Sequence, residues 1–361
     1  MRPRLHRCRP RSAAALALAA ALCLAACGKP EFAALPQPEA PRGTVGLRVA
    51  HAVNPRFARL APREIDALLA ETARVARAQF GVELKFEPAV ELPIDQLFRL
   101  IPGFLVEQRR AEILDFKRGG GDRDKLAAAI LTSLRANPTD LAQLVAYVRP
   151  YLDRPLREES REALAQALTD TMLARLARWA EVEAPDGRPL LDASLYNEWI
   201  DWDSLGYGAL AYDLVLTNQP VISAEYDSAD IHSALRGGLT VGTTSYSREG
   251  RYQAFVFWSN FPFVSQSAPA VELRGGRSYA RDEALRLAGA YLAHEIGHLL
   301  YRYGHPFGEP ACVMNPVPLL RFAEAIAQLD AARCARAARA EMKPGAAPIY
   351  YHRGWARRAL N

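Results

Sequence analysis

Cysteine is scarce in this chain, with five in 361 residues. That scarcity excludes a small disulfide-built scaffold, in which bridges stand in for a hydrophobic core. A surplus of one charge is also missing. The full chain carries 45 Lys and Arg against 40 Asp and Glu, but residues 1–27 hold five arginines (Arg2, Arg4, Arg7, Arg9 and Arg11) and no acid. Without those five the balance is 40 against 40. The basic isoelectric point therefore belongs to the leader, and no nucleic-acid partner is indicated. Nor does the N-terminus offer a comfortable membrane span. The apolar run Ala13 to Ala26 is too short for one and reads, behind its arginines, as a secretory signal peptide.

That run ends in Leu24-Ala25-Ala26-Cys27, which resembles the lipobox of bacterial lipoproteins. The resemblance implies cleavage before Cys27, acylation of its thiol and Cys27 as the mature N-terminus. Lys29, not Asp, stands two residues further on, which by the same resemblance favours the outer membrane over the inner one. Residues 28–43, with Pro30, Pro36, Pro38 and Pro41, read as an extended tether. The expected location is thus the bacterial cell envelope, with the body facing the periplasm and contacting the membrane through its N-terminal lipid. Cys8 and Cys23 leave with the leader, so Cys312 and Cys334 are a candidate disulfide in an oxidising compartment. Such a bridge would stabilise the fold by about 3 kcal/mol on the loop-entropy account.

About 320 residues follow the tether, enough for one large domain or two small ones. Residues 44–92 predict a β-α-β opening: a strand over Thr44–Ala50, a helix over Pro62–Phe80 closed by Gly81, and a strand over Val82–Phe86. A parallel pair with a crossover helix follows from that order. From 93 to 190 the composition turns to Ala, Leu, Arg and Glu. Three or four helices are predicted there, broken near Gly119–Gly121, Asn137-Pro138 and Pro150–Pro155, as an inserted or appended helical subdomain. Residues 191–361 return to strands at Ala211–Thr217, Leu239–Thr244 and Ala254–Trp258, and end in an amphipathic helix over Leu319–Met342. The fold class expected is α+β, a mixed twisted sheet with a helical segment added.

The most informative stretch is His294-Glu295-Ile296-Gly297-His298. The preceding residues Asp282–Ala293 have helical spacing with acids in the first turn. On a helix, residues four apart share one face, so both imidazoles can reach one metal ion. Glu295, beside the first ligand, can take a proton from water activated by that ion. Catalytic zinc takes three protein ligands. His305, just behind Gly304, is the candidate third, provided the chain turns back there, with Gly304 able to adopt a positive φ.

With His294, Glu295, His298, His305 and the run Cys312-Val313-Met314-Asn315-Pro316 quoted, the chain resembles the metzincin zinc peptidases. Their pattern is His-Glu-x-x-His-x-x-Gly-x-x-His followed by a Met-turn. The Cys-Val-Met start is similar to that of archaemetzincins. Similarity is strong over residues 280–316 and looser in element order over 44–90 and 207–280. The resemblance implies one Zn2+ per chain, an apolar floor made by Met314, an edge strand (Leu239–Thr244) to which a peptide or protein substrate adds, and zinc-assisted hydrolysis with Glu295 as general base. Two departures stand out: His305 follows His298 by seven residues where the family has six, and Tyr301 takes the family's glycine position. The cysteines of the archaemetzincin second zinc are absent, so no second metal is expected.

Other readings stay open on the sequence. Glu309 or Glu324 could supply the third ligand in place of His305, and Met314 could be ordinary core. Tyr301, Tyr303, Tyr350 and Tyr351 are all candidates for steadying an oxyanion. Asp227, Asp230 and His232 form a polar cluster without calcium-loop spacing, read as a solvated loop. Tyr196, Trp199, Trp202, Tyr207 and Tyr212 read as packing aromatics. The alternative to a peptidase is a non-catalytic envelope lipoprotein with a structural or degenerate zinc site, acting as a scaffold. Hydrolysis of a non-peptide amide is a third.

Overall fold

The expected first strand proves to be two. Strand β1 (Thr44–Leu47) and strand β2 (Val49–Val53) part at Arg48 and enter different sheets. Arg48 is the reason: its backbone N–H and its guanidinium both donate to the Asp213 carboxylate at 2.9 Å, and its carbonyl accepts from Asp213 N and Leu214 N. Those bonds turn the chain out of one ladder and into the next. This computed structural model describes residues 43–99, 115–116, 120–137, 139–192, 210–222, 226, 231–245, 255–301 and 303–332. The chain divides into units Met1–Ala34 and Leu35–Asn361, and all described residues lie in the second. Cys27 and the tether up to residue 42 lie outside them. No helix among the described residues is long and apolar enough to cross a membrane.

The β-α-β opening forms as its pattern predicts. Helix α1 spans Pro62–Phe80; the Glu64 carboxylate accepts from Ala61 N at 2.7 Å, and Gly81 ends the helix at φ 72°. It buries Ile65, Leu68, Leu69, Val75 and Ala76. Strand β3 (Glu83–Phe86) then pairs in parallel with β1, from Thr44↔Glu83 to Leu47↔Phe86. Strand β4 (Val90–Pro93) pairs in parallel with β2 and runs into helix α2 (Ile94–Phe98).

The helical segment contributes α3 (Arg123–Ala136), α4 (Leu141–Val148) and α5 (Arg161–Ala180). Their starts are capped by Asp122, Asp140 and Ser160, whose side chains accept the first free backbone N–H groups. The predicted breaks at Asn137 and at Pro150–Pro155 fall between these helices, and Gly120-Gly121 precedes the first; Gly119 and Pro138 lie outside the described residues.

Strands β5 (Leu214–Thr217), β6 (Val221–Ile222), helix α6 (Ile231–Ala234), strands β7 (Leu239–Thr240), β8 (Gly242–Ser245) and β9 (Phe255–Ser259) follow. The main sheet runs β4-β2-β5-β9-β8; its first four strands are parallel and β8 is antiparallel to β9. Every residue of β5 and β9 is buried, as strands covered on both faces must be. The expected strand Leu239–Thr244 is broken at Val241: β7 pairs with β6, and β8 forms the edge of the main sheet. Gly242 permits the change of ladder, since a Cβ there would stand 2.6 Å from the Trp258 ring.

Helices α7 (Phe261–Val264), α8 (Ala268–Leu273), α9 (Arg281–Tyr301) and α10 (Phe322–Ala327) complete the described fold. Of the long helix expected over Leu319–Met342, the described part is interrupted: α10 covers Phe322–Ala327, residues 328–330 are not helical, and 331–332 are helical again. Leu319 and Leu320 are instead buried in a bend ahead of α10, where their carbonyls are taken by Arg236 and Tyr279. Residues 333–361 lie outside the described set. One large core cluster joins Ile130, Leu144, Leu168 and Trp179 of the helical segment to Leu214, Trp258 and Leu292. The helices at 123–180 are therefore packed into the body, not appended to it.

Helix α9 crosses α1 closely at Gly289, whose carbonyl accepts from Thr72 Oγ1 at 2.8 Å. A Cβ at 289 would stand 2.3 Å from the Leu68 carbonyl oxygen. Helix propensity favours Gly→Ala by about 1 kcal/mol, whereas overpacking costs about 1–3 kcal/mol when neighbours cannot move. Because the clash is with backbone, Gly289→Ala is expected to lower the melting temperature. An unchanged or raised value would mean that the crossing is looser than described.

Candidate metal centre

Helix α9 is buried over most of its circumference, and it carries His294 and His298 inward at 2% and 6% exposure. Their Nε2 atoms lie 3.0 Å apart. His305 brings its own Nε2 to 3.1 Å from His294 and 3.0 Å from His298. The three nitrogens form the only cluster of three or more metal-competent side chains among the described residues.

The tautomers follow from the other ring nitrogens. His294 Nδ1 sits 2.9 Å from the Val313 carbonyl, and His298 Nδ1 bonds the Tyr303 carbonyl. A carbonyl only accepts, so each Nδ1 carries the proton and each neutral ring turns a bare Nε2 lone pair to its neighbour. Lone pairs 3 Å apart repel unless a cation lies among them. A metal ion fits: a point about 2.0–2.1 Å from all three nitrogens exists roughly 1 Å out of their plane. Burial pushes His294 and His305 well below the usual imidazole range, reinforced by charge repulsion from the other histidines, and takes His298 down to about 4. At neutral pH all three are therefore in the ligating form.

The turn to His305 differs from the expected one. Helix α9 ends at Tyr301, before Gly304, and Gly304 is not among the positive-φ glycines. The chain reverses instead through Tyr303, whose N–H reaches the Gly297 carbonyl at 3.4 Å while its own carbonyl takes His298 Nδ1. The left-handed residue comes later, at Gly308 (φ 87°). The seven-residue spacing is thus spent on a turn that also orients His298.

Met314 is fully buried against the motif. A Cβ at Gly297 would meet Met314 Sδ at 2.3 Å and the Phe80 ring at 2.9 Å, so the glycine between the two ligands makes room for the sulfur. Backbone bonds Cys312 N→Glu309 O and Asn315 N→Cys312 O shape the turn that presents the Val313 carbonyl to His294. Cys312 is buried and disulfide-bonded; Cys334 lies outside the described residues. Tyr291 stacks on His294 at 5.1 Å, and its hydroxyl accepts from Val317 N.

Glu295 is 5% exposed, and its Oε2 accepts from Thr244 Oγ1 at 2.6 Å. Edge strand β8 thus fixes the carboxylate of the residue that follows His294 on the helix. Thr244 was not singled out from sequence, since a threonine in a short strand carries no local signal. His232 is a correction. It lies on α6 with its ring 5.3 Å from the His305 ring, not in a solvated loop, because Ile231 and Ala234 draw α6 into the core. Burial, then the charge of Arg236, pushes its pKa well below the usual range. Asp227 and Asp230 lie outside the described residues.

Of the alternatives for the third ligand, Glu324 is half exposed and pairs with Arg277 at 3.4 Å, and Glu309 does not join the cluster. Tyr301 and Tyr303 stack on each other at 5.1 Å and pack on Phe80, within the core beneath the helix. Tyr212 packs against the apolar residues beside β2 and β5. Tyr196, Trp199, Trp202, Tyr207, Tyr350 and Tyr351 lie outside the described residues. No protein family, curated protein or solved structure matches this chain.

The depressed histidines set a pH dependence. Between an unfolded pKa of 6.5 and the folded value of about 4 at His298, the unfolded chain binds more protons than the folded one. Stability of the metal-free protein is therefore expected to fall as pH drops from about 6.5 towards 4. Melting temperatures after chelation, at pH 7.5 and pH 5, check this, and His298→Gln should flatten the slope. A wild-type melting temperature independent of pH over that window would contradict the burial of these rings.

Proposed function

We propose that this chain is a zinc-dependent peptidase of metzincin-like fold, held at the bacterial cell envelope by a lipid on Cys27. The observation that carries the reading is the convergence of three imidazole nitrogens within 3.1 Å of one another, with Glu295 next to the first of them in the helix and its carboxylate held by Thr244. Three nitrogen ligands and no carboxylate or thiolate suit zinc, with one coordination position left for chemistry. Zinc held there supplies Lewis-acid chemistry, polarising a carbonyl and acidifying water.

The chain's own residues divide the remaining tasks. His294, His298 and His305 hold the ion, with backbone carbonyls fixing the first two rings. Glu295, held by Thr244, takes the proton of the attacking water and passes it to the leaving amine. Strand β8, antiparallel at the sheet edge and joined to the helix through Thr244, supports recognition of an extended peptide that adds as a further strand. The scaffold alternative has no use for a carboxylate placed next to the first ligand and held by a threonine.

The test is Glu295→Gln in the full chain, with a fluorescent casein as the probe substrate. Zinc content by mass spectrometry is expected to match the wild type, while turnover falls about 10²–10⁴-fold. Equal turnover, or none in a zinc-loaded wild type, would favour the scaffold. His305→Ala is expected to lose most of its zinc after dialysis. Full retention would return the third-ligand role to another group.

A further inference from the structure

We propose that the helical segment is a constituent of the metal centre: Gln143 and Tyr147 of α4 are positioning residues that hold the His305 loop and the exit of the Met314 turn in the metal-binding conformation. This rests on the metal-centre reading and adds a role for residues far from the motif in sequence.

Residues 303–318 need an outside support. No strand ladder runs through them among the described residues; apart from Asp330 N→Ala311 O, their backbone–backbone bonds are short-range turns such as Phe307 N→His305 O and Glu309 N→Pro306 O. The extra residue between His298 and His305 lengthens the loop that must be fixed. Ordering each residue costs roughly 1–2 kcal/mol, and four local turns do not offset that for a whole loop.

Helix α4 meets the loop at both ends. Gln143 and Tyr147 stand four apart and so share a face. Gln143 Nε2 donates to the Phe307 carbonyl, and its side chain lies along Gly308, where an added Cβ would stand 3.4 Å from Nε2. Tyr147 Oη donates to the Pro316 carbonyl at 2.9 Å, two residues past Met314. The Tyr147 ring meets Phe307 edge-on at 4.9 Å, and Phe307 meets the His305 ring edge-on at 5.8 Å. A continuous chain of contacts therefore runs from α4 to the third imidazole. The helix is itself anchored: Asp140 caps it, and Leu144 and Val148 are fully buried in the large core cluster.

The experiment uses the full chain in detergent and reads the zinc dissociation constant by chelator competition, with the absorption spectrum of the Co2+-substituted protein beside it. Gln143→Glu removes the donor at nearly constant shape, and Tyr147→Phe removes only the hydroxyl. The double variant is expected to bind zinc 10–100-fold more weakly, the usual cost of losing groups that orient ligands, and to shift the Co2+ spectrum. A control, Arg123→Ala, breaks the α3–α5 ion pair with Asp170 and is expected to lower the melting temperature without changing zinc affinity. A loss of less than tenfold in the double variant, with a normal wild type, overturns the positioning role alone. A wild type that binds no zinc overturns the metal-centre reading itself.

Discussion

Three imidazoles stand with their Nε2 atoms about 3 Å apart, two of them turning a bare lone pair to the other, and contacts from several elements hold them there. Each pair of Nε2 atoms is about 3 Å apart, and on His294 and His298 the proton that could have bridged a pair is committed to a backbone carbonyl on Nδ1. Repulsion of that kind is relieved by a cation. The fold holds the rings in place by packing and by the carbonyls bonded to two of them.

The carbonyls that do the holding come from the chain that follows the motif helix. Val313 belongs to the turn around Met314, and Tyr303 to the reversal after α9. The turn is kept against the helix because Gly297 leaves room for the Met314 sulfur. Beneath this, α9 lies on α1 at van der Waals distance through Gly289, and the β-α-β unit places α1. A displacement at any of these contacts would move a carbonyl and then a ring. Small residues inside α9, unfavourable for the helix in isolation, are where the helix must be approached closely.

Electrostatics and packing act in the same direction. Burial keeps the histidines neutral at the pH of ordinary function, which is also the form that ligates. Burial of Glu295 strengthens its bond from Thr244, since little water competes for the carboxylate. The edge strand therefore fixes the carboxylate, and helix α4 of the helical segment bonds the loop that carries His305.

Local signals in the sequence were sufficient for the motif helix, the opening β-α-β unit and the breaks between the helices at 123–180, because capping residues, glycines and 3.6-residue periodicity act within one element. The pair His294 and His298 was equally legible, four residues on a helix being a fixed distance. What the chain could not disclose by itself were relations between elements: the split of the first strand at Arg48, caused by an aspartate at 213; the conformation between Tyr301 and His305, set by carbonyl partners and not by Gly304; the threonine that holds Glu295; and the approach of His232 to His305. Those depend on residues up to 165 positions apart being brought within bonding distance. Periodicity carries no information about such contacts, and only the packed tertiary structure decides them.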